Sequence, residues 1–126
     1  MCNGFGGIIT KDGRVLFSEP DKDGDCSHSL LLTRLDMQDN TDQFKRSFVR
    51  FEFPKWTEDS FQYDDDSSLP GWVNDEHKES AVKVFLRVAP AWAEYEKVRA
   101  PAWAVRDAAW AEFIKSISTI TGYVPQ

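Results

Sequence analysis

Residues 89–110 read APAWAEYEKVR followed at once by APAWAVRDAAW, an eleven-residue unit written twice. Eleven residues make three helical turns with a drift of only about 20°. Equivalent positions of the two copies therefore stack along one side of a helix. Read from Trp92, that side carries Trp92, Tyr95, Arg99, Trp103, Arg106 and Trp110, indoles and a phenol interleaved with guanidiniums. Ala81, Val84 and Val88 lead into the same stripe, and Ile114 and Ile117 continue it.

Two prolines interrupt this stretch. A proline inside a helix removes one hydrogen bond and costs about 3 kcal/mol or more. Pro90 and Pro101 would suit the first position of new helices, but Ala89 and Ala100 before them cap poorly and no turn residues accompany them. Eleven residues apart, their kinks would bend one helix in one direction. The sequence therefore predicts a single curved helix from about Asp75 to Ile120. A stripe roughly 60 Å long, at about 1.5 Å per residue, is too extended for one small sheet to cover. It is expected to pack on another copy of the chain, giving a homo-oligomer.

Working outward, residues 5–18 read as a hairpin around Lys11-Asp12-Gly13, with Asp-Gly as the turn signal. Glu19–Asp25 is a polar loop, and Ser27 is placed to cap a short helix, Ser29–Leu35, that buries Leu31, Leu32 and Leu35. Asp36–Gln43 is a polar connector. In Phe44–Phe53, Val49, Phe51 and Phe53 alternate with Phe48, Arg50 and Glu52, predicting a strand with one apolar face and one mostly charged, solvated face. Ser60–Tyr63 gives a further short strand, and Asn74 or Asp75 caps the helical part. The fold class is α+β: a small antiparallel β-sheet with a short helix, followed by a long Pro-kinked C-terminal helix. The 126 residues form a single domain, β-rich over 1–70 and a helical oligomerisation part over 72–120.

Composition narrows the function classes. Fifteen basic against twenty-one acidic side chains leave a net charge of −6, the wrong balance for binding bulk duplex DNA or an anionic membrane. No run approaches the ~20 apolar residues of a membrane span. The opening lacks a charged start followed by an apolar signal core. Cys2 and Cys26 form neither a CxxC pair nor a disulfide framework, so a cytoplasmic location is expected.

Several residue groups carry candidate chemistry. On a helix, Arg99 neighbours Trp103, and Arg106 lies between Trp103 and Trp110. Guanidinium over indole is worth about 0.5–2 kcal/mol, and such a ladder suits stacked bases with arginine forks on phosphate. It equally suits a subunit seam, because Trp, Tyr and Arg dominate protein interfaces. Arg46 and Arg50 share a strand parity and are expected to face an anion together, with Lys45 and Trp56 nearby. His28 reads as a helix-start residue or a ligand contact. Asp21, Asp23 and Asp25 imitate a calcium loop, but Gly24 is misplaced and Leu32 stands where the bidentate Glu belongs. With His77 the only other histidine, no metal cluster assembles by spacing, and no cofactor is expected. Once Met1 is removed, Cys2 would be a nucleophile with its own amine as base. MCNGFGGI is similar to the start of glutamine amidotransferases of the N-terminal-nucleophile class over fewer than ten residues.

A broader likeness covers most of the chain. The MCN opening with its hairpin, the Ser27-His28-Ser29 step into a Leu-rich helix, and AWAEYEKVRAPAWA at 91–104 together resemble small accessory proteins of bacteriophages and prophages. That resemblance implies a viral protein of the bacterial cytoplasm which counters host defence. It would do so by occluding a host defence protein or by sequestering a nucleotide signal.

The reading is thus a non-enzymatic binder of a small anionic nucleotide ligand, a sponge at an oligomer interface. Arg46, Arg50, Arg99 and Arg106 would take phosphates, while Tyr95, Trp103 and Trp110 stack bases and His28 adds a contact. Two alternatives stand beside it: a protein–protein inhibitor or assembly component using the same stripe, and an amidohydrolase built on Cys2.

Overall fold

The computed structural model describes residues 4–20, 28–36, 42–63, 69–98 and 103–124. Four antiparallel strands form one sheet in the order β2-β1-β3-β4: β1 Phe5–Thr10, β2 Val15–Phe17, β3 Phe48–Phe53 and β4 Gln62–Tyr63. The predicted α+β class, with a small antiparallel sheet, a short helix and a long helix containing a proline, is the fold observed. The β1–β2 hairpin pairs Ile9 with Val15 and closes through Lys11-Asp12-Gly13, where the Gly13 amide donates to the Thr10 carbonyl at 2.9 Å. Longer β1–β3 pairing runs from Phe5↔Phe53 to Thr10↔Phe48.

Both faces of the sheet are covered. On the inner face Phe5, Ile9, Phe17, Val49, Phe51 and Phe53 pack against α3 (Asp75–Val98) and α4 (Trp103–Ile117). On the outer face Ile8 packs against Leu31 and Leu32 of α1 (His28–Arg34) and Phe44 of α2 (Asp42–Lys45). Two expectations change as a result. Phe44 belongs to a helical turn rather than a strand, and the alternate face of β3 is not simply solvated. Glu52 on that face is buried.

The C-terminus guards a sheet edge. Tyr123 bridges Phe17 in parallel, with Phe17 N–H donating to Gly122 O at 2.9 Å and Val124 N–H to Phe17 O at 2.7 Å. This occupies the backbone groups of β2 that would otherwise invite another strand. Gly122 sits at φ +96°, and a Cβ there would lie 1.8 Å from the Val15 carbonyl. Only glycine permits that approach.

Behind this edge Arg34 and Glu19 form a bidentate pair at 2.6 and 3.0 Å. Glu19 also accepts from Tyr123 Oη at 2.9 Å and from Ser18 Oγ at 3.0 Å, while Arg34 donates further to Ser18 Oγ and, at 3.3 Å, to Val124 O. The latch ties α1, β2 and the C-terminal segment together.

Helix α3 starts as the sequence suggests. Asn74 Oδ1 accepts from the Glu76 amide at 2.9 Å, an N-cap bond. His77, buried, places Nδ1 3.1 Å from the Asn74 amide and Nε2 3.0 Å from the Lys11 carbonyl. A carbonyl only accepts, so Nε2 carries the proton, and the cap is tied to the hairpin. Pro90 lies inside α3 on its exposed side. The carbonyl it deprives, that of Leu86, belongs to an exposed residue, where a lost helical bond costs least.

The single rod is not observed. Helix α3 ends at Val98 and α4 begins at Trp103. In one helix Trp92 and Phe113 would stand about 31 Å apart at 1.5 Å per residue. Their ring centroids are 5.4 Å apart, and those of Tyr95 and Trp110 are 5.3 Å apart. The two helices fold back on each other as a hairpin. Both pairs are centred on the same point of the chain, between 102 and 103. The repeat copies therefore lie on opposed helices, and their equivalent positions do not form one ladder.

Candidate functional site

The hairpin decides the fate of the proposed ligand stripe. Tyr95 is 2% exposed, its ring enclosed by Trp92, Trp110 and Phe113. Trp92 stacks on Trp56 at 4.6 Å with planes 3° apart. Tyr95 is thus a core residue, and Trp110, half-buried, packs against that core. Arg106 is half-buried on α4. Arg99 and the side chain of Trp103 lie outside the described residues, as do Cys2, Cys26 and the Asp21–Asp25 loop. The expectation of a second copy rested on an extended rod, and among the described residues of the stripe Trp92 and Tyr95 are instead buried within the chain.

Arg46 and Arg50 are not brought together. Arg46 sits in the exposed turn after α2, its amide donating to Gln43 O at 3.3 Å, so strand parity does not apply to it. Arg50 remains on β3, half-buried, facing outward. There it meets another predicted residue. Arg50 Nη2 lies 3.3 Å from His28 Nδ1, while His28 Nε2 lies 2.7 Å from the Phe51 carbonyl. Nε2 must donate to that carbonyl, which leaves Nδ1 to accept from the guanidinium. This is the neutral imidazole, with both nitrogens engaged.

The ring occupies the space over Gly6. A Cβ there would stand 2.7 Å from His28 Nε2 and 3.1 Å from Phe51 O. Glycine in the middle of a strand thus marks a close approach, and it is the sequence signal for this site that went unused.

Register places the rest. Glu52 is cross-strand from Gly6 on one side and from Gln62 on the other, so all three share a row and a face. Arg50 is two residues along β3 on that same face. Glu52 is 8% exposed, and its Oε1 accepts from Gln62 Nε2 at 2.5 Å. Its Oε2 is buried without a hydrogen-bond partner among the described residues. Leaving such a group unsatisfied costs about 1–3 kcal/mol, more when it is charged. Outward polar alternation on β3 suggested a wet face and hid this carboxylate.

A second feature lies on the helical layer. A groove of about 420 Å³ runs between α3 and α4, floored by Ala91, Tyr95, Ala109 and Phe113 and bordered by Glu94, Val98 and Glu112. Leu86 and Val98 are the large exposed apolar side chains among the described residues. Among those residues no His/Cys/Asp/Glu group could hold a metal ion, and no helix is long and apolar enough to cross a membrane. Comparison with family models, curated proteins and solved structures finds no match.

Proposed function

We propose that the protein is a non-enzymatic binder of a small anionic, base-containing ligand, and that the ligand sits on the outer face of the sheet rather than along the aromatic stripe. The observation that carries this reading is the Arg50–His28 pair on that face, a half-buried guanidinium donating to a neutral imidazole. Arg50, charged at any physiological pH, is the phosphate contact, oriented by His28. Such a site suits a viral accessory protein that sequesters a nucleotide signal.

The test is a thermal melt of the full chain with mono- and cyclic nucleotides, with native mass spectrometry for stoichiometry. A ligand at about 100 times its Kd adds about 2.7 kcal/mol to stability, several degrees for a domain of this size. Arg50→Gln is expected to remove the shift. If no nucleotide moves the wild-type melting temperature, the proposal fails.

The α3–α4 groove favours a second reading, docking of a partner protein such as a host defence factor. Its apolar floor between Glu94 and Glu112 suits a segment that carries an apolar side chain flanked by basic ones. Ala109→Trp, which fills the floor, would then abolish partner binding and leave nucleotide binding intact.

A further inference from the structure

The two walls of the α3–α4 groove are built alike. On α3, Ala91 and Tyr95 form an inner row at four-residue spacing, with Glu94 and Val98 in the row beside it. On α4, Ala109 and Phe113 form the inner row, with Glu112 beside it. Tyr95 and Phe113 are buried and the two alanines half-buried, whereas Glu94, Val98 and Glu112 are exposed. The groove thus has an apolar floor of small side chains over two rings, and a carboxylate on each rim. Glu94 meets Lys97 at 3.4 Å, both side chains largely exposed, a surface pair worth little to the fold and open to exchange for a partner's cation.

Along Ala91–Glu94 and Ala109–Phe113 the walls are helix interior, where backbone N–H and C=O groups bond within the helix. An extended segment lying there would bury its own backbone groups without partners, since strand-like docking needs a sheet edge. A helix arrives with its backbone already bonded, and a floor of alanines lets its axis come close. From Ala91 to Val98 the groove runs about 10 Å, two turns of helix. We infer that it receives an amphipathic helix of a partner protein, with a two-turn apolar stripe on the floor and Lys or Arg on both flanks. The inference rests on the docking reading above and specifies the form and charge of the segment that docks. Its cations meet Glu94 on one rim and Glu112 on the other, and the net charge of −6 favours their approach.

Fluorescence anisotropy of the full chain with a labelled peptide of about 15 residues, long enough to hold a helix, tests this. The peptide carries leucines at three- and four-residue spacings and lysines beside them. It is expected to bind, and to weaken as salt rises. Glu94→Lys combined with Glu112→Lys should weaken it at least about 10-fold, attraction at both rims becoming repulsion. Both positions are exposed, so this variant tests the groove even if Ala109→Trp, which fills the floor and should abolish binding, fails to fold; melts check each. Equal binding of a proline-interrupted peptide, lost in Ala109→Trp, would overturn the helical form and leave the docking reading standing. Equal binding of a peptide with Glu in place of Lys would likewise overturn the charge assignment alone. A concentration-dependent mass that Ala109→Trp abolishes would make a second copy the occupant and overturn the partner assignment. Absence of binding by every peptide, or binding that survives in a folded Ala109→Trp, would overturn both.

Discussion

Tyr95 and Trp110 meet edge to face, ring centroids 5.3 Å apart and planes at 71°, across the seam of a helical hairpin. Fifteen residues separate them, so their contact defines the reversal between α3 and α4. Tyr95 is also the largest of the fully buried side chains. Tyr95→Ala is expected to cost about 3–5 kcal/mol, the range for removing a large buried ring. Urea unfolding measures it, and a loss below about 1 kcal/mol would be incompatible with this packing.

Trp56 carries its own strain. It sits at φ +55°, a left-handed conformation costly for a bulky residue, and this places its indole flat on Trp92. Replacing it by Ala or Gly loses the stack in both cases, but only Gly relieves the backbone. Trp56→Gly should therefore be more stable than Trp56→Ala by about 1 kcal/mol, the reverse of the usual order. Denaturant midpoints of the two variants decide the point.

Gly6 and His28 should be energetically coupled. Gly6→Ala alone drives a Cβ into a buried ring, an overpacking cost of about 1–3 kcal/mol. In a His28→Ala background that clash is gone. The double variant should lose less stability than the sum of the singles by at least about 1 kcal/mol in a double-mutant cycle. Additive losses would mean that the ring does not lie over Gly6.

The Glu19 latch makes stability depend on pH at both ends. Burial pushes the Glu19 carboxyl up, but hydrogen bonds from Arg34, its own backbone, Tyr123 and Ser18 together outweigh it and hold the group below its ordinary value. Its contribution is thus complete above the unfolded carboxylate pKa and is lost as pH falls through the lower folded value. Tyr123 is pushed up to about 12, first by burial and then by its bond to Glu19. Its contribution is complete below about pH 10 and is lost as pH rises towards about 12. Urea midpoints across pH should fall at both extremes. Glu19→Gln should flatten the acid limb.

Among the described residues of the stripe, Trp92 and Tyr95 are buried within the chain itself. Light scattering of the purified protein is expected to return the mass of one chain, independent of concentration. Leu86 and Val98, single exposed side chains among the described residues, do not make the broad apolar patch that obligate assembly uses. A concentration-dependent mass would contradict this.

Local pattern was enough for the β1–β2 hairpin, the core of β3, α1 and the start of α3, but not for α2 or the start of α4. Asp12-Gly13 announced the hairpin, alternation in 48–53 announced β3, Asn74 announced the α3 cap, and Leu31 and Leu32 announced the buried face of α1. Each depends on neighbours within a few residues, where periodicity and turn chemistry act directly. Arg50 and His28 also stood out in the sequence as candidate residues, though not as a pair. Glu52 was not recognisable, because nothing near it in sequence shows that its side chain is buried.

Taken alone, the amino-acid order determined the hairpin, β3 and the start of the long helix, since hydrogen bonding along the backbone and the spacing of apolar side chains are short-range effects. Tertiary structure alone decided which way the second repeat runs. Eleven-residue phase is the same for a straight continuation and for two helices folded back. Folding back wins because it lets Trp92, Tyr95, Trp110 and Phe113 bury their rings against one another inside a single chain.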